Sequence, residues 1–283
     1  MTAEDVDRTY HTASVALYES PEEQERLKNR SPQEIERRKA RYRHFLEHDP
    51  RGAWVAADGD RIVGAANALV REGLWILSLF AVDREYRNTG TGRNLLDHAL
   101  GYAAGTEAAV LASSQHPAAM RRYARAGFDL HPTLTAKGHL RRDSLPSGLR
   151  ARDGDGTDLD LAAEVDRAVR GAAHGPDLEL MMRGGCSLLI SETPPGRGYA
   201  LEWKGSPAVL AATEPAVARD LLWACFARAP GGEEVWVDWI TTHQNWAVPV
   251  TLEAGLSLSP SGPLCTRGAV GPMTPYLPSG PYL

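Results

Sequence analysis

Leu79-Phe80-Ala81-Val82-Asp83-Arg84-Glu85-Tyr86-Arg87-Asn88-Thr89-Gly90-Thr91-Gly92 joins an apolar run to a glycine-rich loop. The run from Leu74 to Val82 is almost unbroken, as expected of a central strand covered on both faces. Beyond the loop, Leu95, Leu96, Ala99, Leu100 and Ala103 recur at helical spacing. Arg87 to Gly92 therefore sits between a strand and a helix N-terminus. Backbone N–H groups converge there and the helix dipole is positive, so the loop suits an anion such as a pyrophosphate. The loop's glycines let the backbone come close to a phosphate and adopt conformations with positive φ. The loop is not a Walker motif, which needs GKS/T, nor a Rossmann fingerprint, which needs GxGxxG.

Upstream, Asp5-Val6-Asp7 opens a helix. Ser20-Pro21-Glu22-Glu23 and Ser31-Pro32-Gln33-Glu34 each read as a capping box with proline at the first helical position. The helix after Ser31 carries Ile35, Tyr42, Phe45 and Leu46 on one face, and Arg37-Arg38-Lys39 reads as its wet face. Ala53–Ala57, Asp58-Gly59-Asp60 and Arg61–Ala66 form a hairpin, and Arg71-Glu72-Gly73 marks a second turn. Downstream, Ala108–Ala112 is a buried strand, and Pro117–Ala126 a helix stopped by Gly127.

A second motif completes the picture: His116, Ala119, Tyr123, Gly127 and Phe128 fall on the pattern Asn-x-x-Ala-x-x-x-Tyr-x-x-x-Gly-Phe, with histidine in the asparagine place. Together with a strand ending in valine and a loop of the form (R/Q)xxGx(G/A), this order resembles the GNAT acetyltransferases. The resemblance is strong from Trp54 to Pro132. It implies acetyl-CoA as co-substrate, with the loop N–H groups of Arg87, Asn88, Thr89, Gly90, Thr91 and Gly92 on the pyrophosphate and Arg93, His116 and Ala119 beside the cofactor. It further implies that the strand end Phe80-Ala81-Val82 pairs with the pantetheine arm, that the Phe80 N–H polarises the thioester carbonyl, and that Tyr123 is the general acid. For Tyr123 a core aromatic is the alternative. Many members carry a general-base carboxylate on the strand before the loop; here Ile76 takes its place, and no Asp or Glu occurs from Trp75 to Val82. Ser78 on the same strand face is a candidate to hold a water in its stead. His116 has a suitable unperturbed pKa, against which stands a cofactor contact or a structural role.

The second half repeats the first in outline. It reads as helix Leu159–Val169, hairpin Cys186–Trp203, strand Ala208–Ala212, helix Pro215–Ala227, strand Glu234–Thr241 and helix Trp246–Ala254. At an offset of 128, five of the fourteen positions from Ala119 to Pro132 are identical to Ala247–Pro260. The turn matching the phosphate loop is Thr213-Glu214-Pro215, with no arginine and no glycine, and Thr251 replaces Tyr123. The expected fold is α/β (an α+β mixed sheet): two tandem GNAT-like domains, 1–144 with the cofactor site and 145–283 degenerate. The boundary lies in the polar stretch Arg141–Gly156, and the proline-rich tail from Gly271 to Leu283 is expected to be extended and to pack on the body. Family domains usually open with an Ile-Arg-Pro strand. Leu149-Arg150-Ala151-Arg152 keeps a version of it, whereas the first half at Met1 lacks it or has its true start upstream.

Composition narrows the function. Lys+Arg against Asp+Glu is 21 to 20 up to Ser144 and 10 to 16 after it, so neither half is a nucleic-acid surface. No apolar run nears the ~20 residues that span a bilayer, and no signal peptide is visible. Cys186, Cys225 and Cys265 are isolated, which argues against disulfides and metal, and a cytoplasmic location is expected. The expected activity is acetyl transfer to an amine, of a small molecule in the first instance. The rivals are an acyl-CoA sensor and an enzyme acting on a protein N-terminus or lysine.

Overall fold

The computed structural model describes residues 1–18 and 20–283, in two compact units: Met1–Val70 with Trp75–Thr106, and Arg71–Leu74 with Glu107–Leu283. The first unit opens with helices α1 (Val6–Leu17), α2 (Pro21–Lys28) and α3 (Pro32–His48). Both expected capping boxes are formed: Ser20 accepts from the Glu23 N–H and Ser31 from the Glu34 N–H, each at 3.2 Å, while the two glutamates reach back to the serine N–H groups at 2.9 Å. Each such cap is worth about 1 kcal/mol. Strands β1 (Ala53–Asp58), β2 (Arg61–Arg71) and β3 (Leu74–Val82) follow in that spatial order, then helix α4 (Thr91–Gly101). Glu72 and Gly73, with φ of 47° and 85°, make the two-residue turn between β2 and β3. Val6, Ala13 and Ala16 of α1 and Tyr42 of α3 pack with Ala65, Leu79 and Ala81 into this unit's apolar cluster.

The second unit contains β4 (Ala108–Ala112), α5 (Pro117–Arg125), β5 (Asp129–His139), β6 (Arg152–Asp153), α6 (Leu159–Val169), α7 (Pro176–Arg183), β7 (Ser187–Thr193), β8 (Gly196–Trp203), β9 (Ser206–Ala212), α8 (Pro215–Ala227), β10 (Glu234–Ile240), α9 (Ala247–Glu253), β11 (Ser257–Gly268) and β12 (Tyr276–Leu277). Strands β4, β11, β5 and β10 run side by side, all antiparallel. The last strands of the two sequence repeats thus exchange places: β11 lies between β4 and β5, and β5 between β11 and β10. A second antiparallel sheet has the order β12-β9-β8-β7-β6. Leu221, Leu222 and Phe226 of α8 are fully buried in the core they share with Leu189, Ala200 and Leu210.

The repeat is visible in hydrogen bonds. At the end of α5, Phe128 N–H donates to Tyr123 O (3.1 Å) and Gly127 N–H to Ala124 O (3.1 Å). At the end of α9, Leu256 N–H donates to Thr251 O (2.9 Å) and Gly255 N–H to Leu252 O (3.0 Å), the same bonds 128 residues on. Gly127 and Gly255 have φ of 82° and 89°, the left-handed stop that only glycine takes freely. The tail packs as expected, with Met273, Tyr276, Leu277 and Tyr282 buried and Tyr276–Leu277 paired to β9. Helix α7 was not visible in the alternation of the sequence, and neither were the strands β5 and β11.

Candidate functional site

The loop after β3 has a backbone geometry that suits an anion. Asn88 and Gly90 take φ of 67° and 97°, and Gly90 caps α4. Two left-handed residues so close together turn successive N–H groups toward one side, the geometry of a backbone nest. Among the described residues nothing accepts from the N–H groups of Asn88, Thr89, Gly90, Thr91 or Gly92. Asn88, Thr89 and Gly90 are exposed, Thr91 is half-buried, and Gly92 is packed beneath them. The Thr89 hydroxyl donates to Tyr86 O (2.7 Å) and lies 2.9 Å from the Thr91 hydroxyl, so side chains brace the loop and leave its backbone donors open. The Arg87 N–H differs from the rest, since it donates to Arg84 O at 3.3 Å. Its guanidinium ties Val82 O (3.2 Å) at the end of β3 to Ala16 O (3.1 Å) at the end of α1. Arg93 is exposed on the first turn of α4.

On β3, Ile76 is fully buried and the Ser78 hydroxyl is buried without a partner. Phe80 and Val82 are half-buried and Ala81 is buried. Asn67 of β2, which sequence reasoning passed over, is fully buried with both amide atoms unpartnered. Buried polar groups are seldom left without a partner, and these three atoms lie on the adjacent strands β2 and β3. The only sequence signal was a lone asparagine inside the apolar run Ile62–Val70.

In the second unit, Tyr123 of α5 is 4% exposed, its ring edge-on to Phe128 at 6.4 Å between centroids. Burial, reinforced by Cys265, pushes its hydroxyl well above the usual tyrosine pKa. The hydroxyl therefore stays protonated at any ordinary pH, and burial makes it a weaker acid than a solvent-exposed tyrosine. His116 is exposed and caps α5, its Nδ1 accepting from Ala118 N–H at 3.2 Å. That engages one ring nitrogen in a structural role. Ala119 is half-buried on the same helix.

The counterpart turn after β9 is closed. Thr213 N–H donates to Arg197 O (2.8 Å), its hydroxyl accepts from Arg197 N–H (3.0 Å), and Pro215 has no N–H. None of Thr213, Glu214 and Pro215 has positive φ, so no nest forms. Glu214 is exposed and caps α8. A Cβ at Gly196 would come within 2.5 Å of the Thr213 Oγ1 and 2.7 Å of the Glu214 Cγ, so the facing strand presses directly on this turn.

Residues 12–128 match the model of the acetyltransferase (GNAT) family. Over that segment the chain is similar to the GNAT acetyltransferases. The matched segment holds the nest, β3, α4, His116 and Tyr123. Among curated proteins, the chain is 28% identical over 180 residues to the mycothiol acetyltransferase of Clavibacter sepedonicus, a match covering 56% of this chain and spanning only 54% of that relative. Among solved structures, a candidate acetyltransferase from Pyrococcus horikoshii is similar over 100% of this chain and 91% of its own, with a TM-score of 0.76 at 19% identity. A GCN5-related N-acetyltransferase from Kribbella flavida covers 95% of this chain and 70% of its own, with a TM-score of 0.58 at 16% identity. A tandem GNAT protein from the clavulanic acid biosynthesis pathway covers 95% and 97%, with a TM-score of 0.55 at 15% identity. These likenesses carry the GNAT fold through both halves of the chain. No helix among the described residues is long and apolar enough to cross a membrane.

Proposed function

We propose that the chain is an N-acetyltransferase that moves an acetyl group from acetyl-CoA to a small-molecule amine, with its chemistry in a cofactor-binding domain 1–144 and a degenerate companion 145–283. The observation that carries this reading is the row of open N–H groups from Asn88 to Gly92 under two left-handed residues at the start of α4. A pyrophosphate asks for that donor set. The amine nitrogen attacks the thioester carbonyl, a C–N bond forms, the C–S bond breaks, and the amine loses a proton. The Phe80 N–H is assigned to the carbonyl oxygen, Ala81 and Val82 to the pantetheine arm, and the Tyr123 hydroxyl to the departing sulfur. Ser78 and Asn67 hold the water through which the amine proton leaves, in place of a carboxylate. The His116 ring and Ala119 border the cofactor, and Arg93 faces it from α4.

Thiol release from acetyl-CoA with a panel of amines tests the reading. One or more amines are expected to raise the rate above the rate with water alone. With no strand carboxylate to accept the proton, kcat/KM is expected to climb steeply between pH 6 and 9. A profile flat over that range would mean that an efficient base acts in the enzyme. One observation favours a second reading, an acyl-CoA-binding protein without transfer: the position of the usual base is a fully buried isoleucine. Tight binding of acetyl-CoA with no amine accelerated would establish it.

A further inference from the structure

Resting on the transferase reading, we propose that Arg30, Arg38 and Arg41 form a binding site for an anionic group, carboxylate or phosphate, carried by the amine acceptor. The three side chains gather around tyrosines of α1 and the segment after it. Arg38 Nη1 donates to the Tyr18 hydroxyl at 3.4 Å, and the Arg30 guanidinium lies over the Tyr18 ring at 4.5 Å. Arg30 Nη1 also donates to the Tyr10 hydroxyl at 3.3 Å. Arg38 and Arg41, three residues apart on α3, share a face. The Nε atoms of both are buried and have no hydrogen-bond partner.

The contrast with their neighbours is direct. Lys39 pairs with Asp7 at 2.9 Å, Lys28 with Glu25 at 3.8 Å, and Arg43 with Glu36. Among the described residues no carboxylate pairs with Arg30, Arg38 or Arg41, all three half-buried. A guanidinium cannot shed its proton, so the cluster keeps its charges at close quarters. Uncompensated buried charge is costly, and an anion relieves it. The planar fork of arginine suits carboxylate and phosphate alike. Burial would raise the Tyr18 pKa, yet the charges of Arg38 and Arg30 pull it below the ordinary value, which reports the same positive field. The expected wet face at Arg37-Arg38-Lys39 is thus only partly wet. Placement favours the acceptor: Tyr18 follows by two residues the Ala16 carbonyl that Arg87 ties to the end of β3, where the thioester is assigned.

The test uses the full chain and matched amines. O-phosphoethanolamine against ethanolamine and glycine against glycinamide are compared by thiol release. The anionic member of at least one pair is expected to have a kcat/KM at least 10-fold higher, through KM. Arg38→Met and Arg41→Met are expected to remove that preference while leaving Tm unchanged or raised. The neutral member being preferred in both pairs, or the preference surviving in both variants, would overturn the proposal. The 3′-phosphate of coenzyme A is the other source of such an anion. CoA and dephospho-CoA affinities, measured by calorimetry, are expected to keep their ratio in Arg38→Met; a ratio collapsing to one would assign the cluster to the cofactor and overturn the proposal. If acetyl-CoA binds and no amine reacts, the transferase reading alone has failed. Inorganic phosphate then decides for the site: at constant ionic strength it is expected to raise the Tm of the native chain and not of Arg38→Met, and an equal rise in both would sink the site as well.

Discussion

The turn after β3 and the turn after β9 stand at corresponding places in two repeats, and they differ in what their backbone offers. The first has two left-handed residues and five open N–H groups running into an eleven-residue helix. The second has no left-handed residue, bonds its threonine to the neighbouring strand, and begins its helix with proline after an exposed glutamate. One offers the donor set that suits an anion and the other is a sealed corner. The two turns differ in their glycines, their open N–H groups and the sign of a charge.

The same contrast extends to the last helices of the two repeats, α5 and α9. Tyr123 and Thr251 share their backbone bonds, yet the Thr251 hydroxyl folds back on its own helix to Val248 O at 2.9 Å. Tyr123→Phe is therefore expected to lower kcat about 10–100-fold, the size of a lost general acid, with little change in acetyl-CoA affinity. Thr251→Val is expected to leave kcat unchanged. Steady-state rates on a reactive amine separate the two, and equal effects would erase the distinction.

The second unit seals its charges inside. Asp166 and His174, both fully buried, meet at 2.7 Å; Tyr199 donates to Asp166 at 2.6 Å, and the Tyr276 hydroxyl lies 3.3 Å from His174 Nε2. Burial, with Arg170 next, holds the His174 pKa below its ordinary value of 6.5. Unfolded chain then takes up a proton that folded chain refuses. Stability from the neutral ring is complete above pH ~6.5 and falls as pH drops below it, at up to about 1.4 kcal/mol per pH unit, until the folded pKa is reached. Denaturant melts from pH 8 to 5 should show this slope, and His174→Asn should flatten it. Arg71 and Asp177, paired at 2.8 Å through two guanidinium nitrogens, are sealed in the same way.

The smallest effect concerns His116. As a cap of α5, its replacement by alanine should cost roughly 1 kcal/mol of stability and leave the pH profile of turnover in place. His116→Asn should restore the stability. A pH profile altered by His116→Asn would instead give the ring a part in proton transfer.

Local chemistry made much of this legible. Ser20, Ser31, Pro117 and Pro215 announced helices, and Gly127 and Gly255 announced their stops, because caps and left-handed residues are written in a few neighbouring positions. Helix α7 had its signal in Gly175-Pro176, with φ of 61° at the cap, but no long apolar stripe beside it. Strands β5 and β11 were harder. Pro132, Pro260 and Pro263 interrupt them, and their pairing with each other joins residues more than a hundred apart. The nest was readable as Arg87–Gly92, though not that the Arg87 N–H is already engaged. Asn67 and the arginine cluster escaped, since polar atoms left without partners are visible only once the chain has closed around them.

Calorimetric titration of the full chain with acetyl-CoA tests the comparison most directly. One site per chain is expected. Gly92→Asp, which puts a carboxylate at the start of α4, should abolish it, because one like charge at contact distance repels by a few kcal/mol at an effective dielectric of ~20. Circular dichroism would show that variant folded, and Thr91→Glu serves as a second variant at a half-buried position. Glu214→Gln should leave affinity within about twofold, since that turn lacks the nest as well as bearing the charge. Two sites per chain, or full binding by folded Gly92→Asp protein, would contradict the assignment of acetyl-CoA to the loop after β3.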